Sequence, residues 1–197
     1  MKNLPNQFFY SKEEDRLNVI SHGIGFILSI IGLIFLLNKG LQDFNLLRFL
    51  SFLIYGISLS TMYIASTLYH NSKTPEGRYK FRLFDMVSIY LLIAGSYTPF
   101  TLTVLIDSGG LKLFLLVWVI AFIGIIWKIF TVGSYNISST LLYIFMGGLW
   151  LFFIDAFINE IPQNALMWIY ASASTYLIGV FFYLADSKIK YLSLIHI

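Results

Sequence analysis

Four side chains stand out because a hydrophobic segment has no ordinary use for them. Ser66 and His70 lie four residues apart near the end of one apolar stretch, Asp85 lies near the start of the next, and His22 lies about one turn into the first. An imidazole, a carboxylate and a hydroxyl are groups that take, give and share protons. An ionisable group inside a membrane span costs about 2.5 to 3.5 kcal/mol at the helix centre on insertion scales, and less toward the ends. Such groups need partners, water or a function. The i, i+4 spacing puts Ser66 and His70 on one helical face. The short connection that follows, read as a tight polar hairpin over 71–82, brings Asp85 to the same membrane depth, with His22 at a similar level and followed by Gly23 and Gly25. Four polar groups at one level in different helices read as a site. A plainer reading stays open beside it. A His at a helix end meets headgroups or loop carbonyls, a membrane Ser bonds back to its own backbone, and an Asp at a helix start suits the dipole or pairs with Arg82 or Lys80.

The elements that must position these groups follow from composition. The chain has 197 residues, of which 58% are hydrophobic, 18% aromatic and only 12% charged, with a mean hydropathy of +0.78. Soluble domains carry roughly twice that share of charge, and the aromatic content excludes intrinsic disorder. There is no cysteine, which excludes a disulfide framework, a thiol nucleophile and any Cys-ligated metal. The net charge of +3 is no nucleic-acid signature.

A helix needs about 20 apolar residues to cross roughly 30 Å of hydrocarbon. Six segments qualify, over approximately 17–37, 47–70, 83–105, 112–131, 138–157 and 164–185, separated by short Gly-, Pro-, Asn-, Asp- and Ser-containing patches. Connections this short join neighbouring antiparallel helices. The fold class is therefore all-α, a polytopic membrane helix bundle, with a polar N-terminal segment over 1–16 and no second domain. Ten Lys and Arg fall on the side of the N-terminus, the 71–82 region, Lys128 and the chain end, against three (Lys39, Arg48, Lys112) on the other. The positive-inside rule places the N-terminus in the cytoplasm. Lys128 is expected to snorkel to that surface and Asp155 to be solvated. Pro99 is expected to kink the third helix, with Ser96 and Thr98 satisfying freed backbone groups. Gly147-Gly148 are expected to allow close helix packing.

Longer motifs then become recognisable. Ser66-Thr67-Leu68-Tyr69-His70 resembles the second-helix motif of the hemolysin III family, the bacterial branch of the group that contains the progestin and adipoQ receptors. Phe84-Asp85, with Ile89 through Phe100, resembles its third-helix motif, and Ser21-His22-Gly23-Ile24-Gly25 after Glu13-Glu14 resembles its approach to helix one. Similarity continues through Trp127-Lys128 and Phe182-Tyr183 and covers essentially residues 11–190. The resemblance implies a seven-helix bundle with a cytoplasmic N-terminus, in the bacterial inner membrane, of which this chain has six helices. It implies zinc as cofactor, with His70 as one metal ligand, two more from a His-x-x-x-His pair in the seventh helix, and Asp85 and Ser66 lining the site as catalytic groups. Three imidazoles leave a position for water whose pKa zinc lowers to about 7, a carboxylate orients that water or takes its proton, and a hydroxyl bonds a developing oxyanion. Metal-dependent hydrolysis of a lipid-like substrate, such as a lipid amide, is the implied activity. Membrane lipids are the implied partners, and no nucleic acid is expected.

The sequence departs from that pattern twice. Met86 stands where the family often has His, and the chain ends Leu192-Ser193-Leu194-Ile195-His196-Ile197 with no His-x-x-x-His pair. Those six residues match one reading frame of a transposon end used in sequencing libraries, so 17–191 is expected to be the native bundle, 192–197 a non-native tail, and His196 no ligand. A pore-forming bundle without catalysis, and a receptor-like bundle in which zinc only staples helices, are the competing functions.

Overall fold

A computed structural model describes residues 10–42, 44–131 and 136–185. The expected tail over 192–197, His196, Lys2, Lys188, Lys190 and the 133–135 turn lie outside the described residues. Among the described residues there is no strand, and six helical segments are long and apolar enough to cross a membrane. The chain is an all-α polytopic membrane bundle.

Helix α1 (Lys12–Leu41) begins five residues earlier than its hydrophobicity suggests. Ser11 caps it: its hydroxyl accepts from the Glu14 N–H at 3.2 Å while the Glu14 carboxylate accepts from the Ser11 N–H at 3.0 Å. This reciprocal capping, with Glu13, Glu14 and Asp15 in the first turn, suits the positive end of the helix dipole. The polar residues Lys12 to Arg16 therefore form about one and a half turns of helix continuous with the span. Helix α2 (Leu46–Asn71) starts on Asn45, whose side chain accepts from the Arg48 N–H at 3.0 Å.

Helix α3 (Pro75–Pro99) starts on Thr74 with proline in its first turn, where a missing N–H costs nothing. This corrects the expected 71–82 hairpin: only residues 72–74 are outside helix, and Arg78, Lys80 and Arg82 belong to the first turns of α3. Pro99 widens the helix rather than ending it, because a π-helical turn runs over Phe100–Val104. Ser96 and Thr98 bond back to the carbonyls of Ile93 and Ala94 at 2.8 and 2.9 Å.

Helix α4 (Gly110–Phe130) follows a left-handed Gly109 with φ of 91°. The fifth span is broken. Helix α5 (Asn136–Gly147) gives way to a 3-10 turn over Leu149–Phe153, and α6 (Ile154–Glu160) completes the crossing. The sixth span is α7 (Gln163–Ala185). A side chain added at Gly147 would touch nothing within 4 Å, so the glycine pair marks the break and is not a close-packing surface. Tyr97 pins that break: its hydroxyl lies 2.8 Å from the Gly147 carbonyl and 3.0 Å from that of Met146, and accepts from the Trp150 N–H at 3.2 Å.

Each of the first four helices packs on its neighbour in sequence. The main apolar core joins α3 to the later helices through Tyr90, Ala94 and Tyr97, Leu113 and Val117, Met146 and Phe157. The α1–α2 contact is made differently, by Gly25 against Tyr63, Gly56 against Leu33, and a 2.9 Å hydrogen bond from Ser29 to Ser60.

Candidate functional site

The end of the bundle where α1 starts, α2 finishes and α3 begins holds most of its buried ionisable side chains. Ser66 is fully buried, and His70 and His22 are nearly so. Asp85, in the third turn of α3, lies beside Ser66 and Arg82. The Ser66 hydroxyl thus faces a carboxylate on the next helix, yet among the described residues it makes no hydrogen bond of normal distance and angle. A fully buried hydroxyl without a bond is uncommon, since buried polar groups are paired in the great majority of cases.

His70, one turn further along α2, contacts α1. Its Nδ1 lies 2.9 Å from Asp15 Oδ1 and 3.3 Å from Asn18 Nδ2. Its ring is nearly parallel to that of His22, with centroids 5.9 Å apart and planes 7° from parallel. Tyr10 lies on it at 5.5 Å. Both ring nitrogens of His22 are buried without a hydrogen-bond partner among the described residues, and Tyr63 packs 6.2 Å from its ring.

Arg78, with no exposed surface, ties the three helices together. One arm of its guanidinium donates to Asp15 Oδ1 at 2.6 Å. The other donates to the carbonyls of Tyr69 and His70 at 2.9 and 3.0 Å. Those carbonyls belong to the last turn of α2, where intrahelical donors run out. The cation also sits 4.5 Å over the Tyr69 ring, a favourable cation–π distance.

Of the residues singled out in the sequence, the structure thus sets Ser66 beside Asp85, and His70 beside His22. Asp15, Asn18 and Arg78 were missed, the first because it looked like part of a solvated head and the last because it looked like a loop cation. A signal was present: Asp15, Asn18 and His22 fall at i, i+3 and i+7, one face of a helix. Lys128 also departs from expectation. It is 1% exposed and donates to Ser139 Oγ at 3.1 Å; α5 folds over the end of α4 and closes the route to the surface. Asp155 is exposed, as expected.

The family model described as Haemolysin-III related matches residues 10–193. The chain belongs to the hemolysin III family. It is similar to Hemolysin-3 of Bacillus cereus, at 37% identity over 172 residues, covering 87% of this chain and 78% of that relative. It is also similar to the Hemolysin-3 homolog of Bacillus subtilis (strain 168), at 33% identity over 175 residues, covering 89% and 82%. No solved structure matches at a significant level. In this hemolysin III family member the matched region spans the whole described bundle, so the Asp15–His70–Arg78 cluster and the Ser66–Asp85 pair both lie within it.

Proposed function

We propose that this hemolysin III family protein is a multi-pass protein of the bacterial inner membrane, with the start of α1 on the cytoplasmic side, and that the region around Ser66, His70 and Asp85 hydrolyses a lipid-like substrate. The observation that carries the reading is the fully buried Ser66 hydroxyl set against the Asp85 carboxylate, one α2 turn from the His70 imidazole. In this reading Asp85 takes the proton of the attacking water. Ser66 donates a hydrogen bond to the oxygen that gains charge. An apolar groove of about 410 Å³ between α1 and α2 supports a lipid-like substrate. It reaches Tyr63, whose ring adjoins His22.

Zinc is the cofactor that the family resemblance implies. Zinc sites use three or four protein ligands, and the described residues contain no group of three or more His, Cys, Asp or Glu that could hold a metal ion. The described residues do not by themselves fit a zinc ion. Zinc is proposed only where further ligands join His70. The 197-residue chain is accordingly expected to bind zinc more weakly than micromolar in a titration; micromolar affinity or better contradicts this.

The test of the hydrolase reading is turnover of a lipid amide by the protein in lipid nanodiscs, with metal content measured alongside. Asp85→Ala should abolish turnover while metal content is kept. Turnover that survives Asp85→Ala counts against it. A second reading, a pore-forming protein without catalysis, is favoured by the name Hemolysin-3 carried by the relatives. Dye release from liposomes decides on it: no leak at high protein density speaks against a pore.

A further inference from the structure

We propose that Asp15 is a positioning residue for His70: it fixes the imidazole in the form protonated on Nδ1, so that Nε2 is the nitrogen whose lone pair serves a ligand or a proton. The inference rests on the reading of this region as a reaction site.

The geometry of Nδ1 carries the argument. Two neighbours make opposite demands on it. Asp15 Oδ1, at 2.9 Å, belongs to a carboxylate, which only accepts, so its bond needs a hydrogen on Nδ1. The Asn18 amide nitrogen, at 3.3 Å, only donates, so its bond needs a lone pair there. Distance and charge decide between them. A charge-assisted hydrogen bond is shorter and roughly twice as strong as a neutral one, and 3.3 Å lies beyond the usual N–H bond range. Asp15 therefore sets the tautomer.

Asp15 can do this because it is itself held. Arg78 Nη2 donates to the same Oδ1 at 2.6 Å. Through its Nη1, Arg78 is fixed to the carbonyls of Tyr69 and of His70 itself. The carboxylate is thus anchored to the very turn that carries the imidazole it orients. The side-chain exposures fall from 13% at Asp15 to 7% at His70 and none at Arg78, so water competes weakly for these bonds. His22 stacked on one side and Tyr10 packed nearby limit rotation of the ring. The capped first turns of α1 are what deliver Asp15 to this place. A carboxylate on the second nitrogen is the usual means of orienting a working imidazole, and its loss typically costs about 10- to 100-fold in metal affinity or activity.

The experiment is nitrogen NMR of the full chain labelled with ¹⁵N-histidine in detergent micelles, with the ring signals assigned from His70→Gln and His22→Gln. The parent should show His70 protonated on Nδ1 and bare on Nε2. Asp15→Ala, which removes the carboxylate acceptor beside Nδ1, should move the hydrogen to Nε2, and Asp15→Glu should restore the parent pattern. A merely structural Asp15 would lower the melting temperature without moving the ring pattern. A parent ring protonated on Nε2 overturns the inference, and this outcome is read even if Asp15→Ala fails to fold; an unchanged pattern in folded Asp15→Ala overturns it too. Lipid-amide turnover, read in parallel, should fall about 10- to 100-fold in Asp15→Ala and recover in Asp15→Glu. Unchanged turnover with a moved tautomer overturns the positioning role. Absence of turnover in the parent counts against the hydrolase reading alone and leaves the tautomer result to decide this one.

Discussion

The two sides of the bundle are held together by different chemistry. Where α1, α2 and the start of α3 meet, the buried groups are Asn18, His22, Ser29, Ser60, Ser66, His70 and Arg78. Where the rest of α3 meets α4 to α7, an aromatic and aliphatic cluster centred on Tyr90, Tyr97, Val117 and Met146 is buried, with the polar Thr98, Thr101, Lys128 and Ser139 buried beside it. In lipid, apolar side chains gain little from leaving one hydrocarbon for another, so helices associate through close packing and interhelical hydrogen bonds. The second side follows that rule with rings and small residues: Tyr90 meets Tyr143 edge-on at 4.5 Å and packs where Gly124 has no side chain. The first side spends part of its packing surface on charged and polar groups, and Arg78 pairs the carboxylate among them, that of Asp15. A lining that must be paired this tightly is a poor means of holding helices together and a good means of holding a few atoms in fixed places.

Substitutions break or sharpen that contrast, and thermal unfolding in micelles reads them. The largest effect is expected from Arg78→Met, which takes the cation from Asp15 and a donor from two helix-end carbonyls; breaking a buried pair this way costs about 3 to 5 kcal/mol. The double substitution Asp15→Leu with Arg78→Met should recover part of that loss, since a buried pair replaced whole by apolar groups is often neutral. On the aromatic side, Gly124→Val forces a side chain into the ring of the fully buried Tyr90 and should cost about 1 to 3 kcal/mol. Tyr97→Phe removes the hydroxyl that spans the break in the fifth crossing and should cost about 1 kcal/mol. Ser29→Ala removes one interhelical hydrogen bond and should cost about 0.6 kcal/mol. If Ser29→Ala proved as damaging as Arg78→Met, the contrast between a paired site and ordinary packing would fail.

Much of the fold was legible in the sequence because the bilayer imposes a simple length rule on apolar runs, and six such runs map onto the six membrane-length segments. Boundaries were less legible where charge and helix coexist. Hydropathy could not show that Lys12–Arg16 and Arg78–Arg82 are helical, because caps at Ser11 and Thr74 decide it. The break after Gly147 was hidden for a related reason: a span interrupted by a 3-10 turn has the same mean hydropathy as a straight one. At the site, the placement of Ser66 against Asp85 followed from helix periodicity and a short connection. The partners of His70 did not, because Asp15 and Arg78 are 63 residues apart and meet only through tertiary packing. Lys128 shows the same limit: its burial depends on α5 lying across α4, bringing Ser139 within 3.1 Å.

The central claim is that the polar end of the bundle is a reaction site and not only a paired lining. Lipid-amide turnover by the protein in lipid nanodiscs, compared with its Asp85→Ala variant at equal metal content, tests it most directly. The account predicts turnover in the parent and none in the variant, with both proteins melting as folded bundles. No turnover in the parent, or equal turnover in the two, would contradict it.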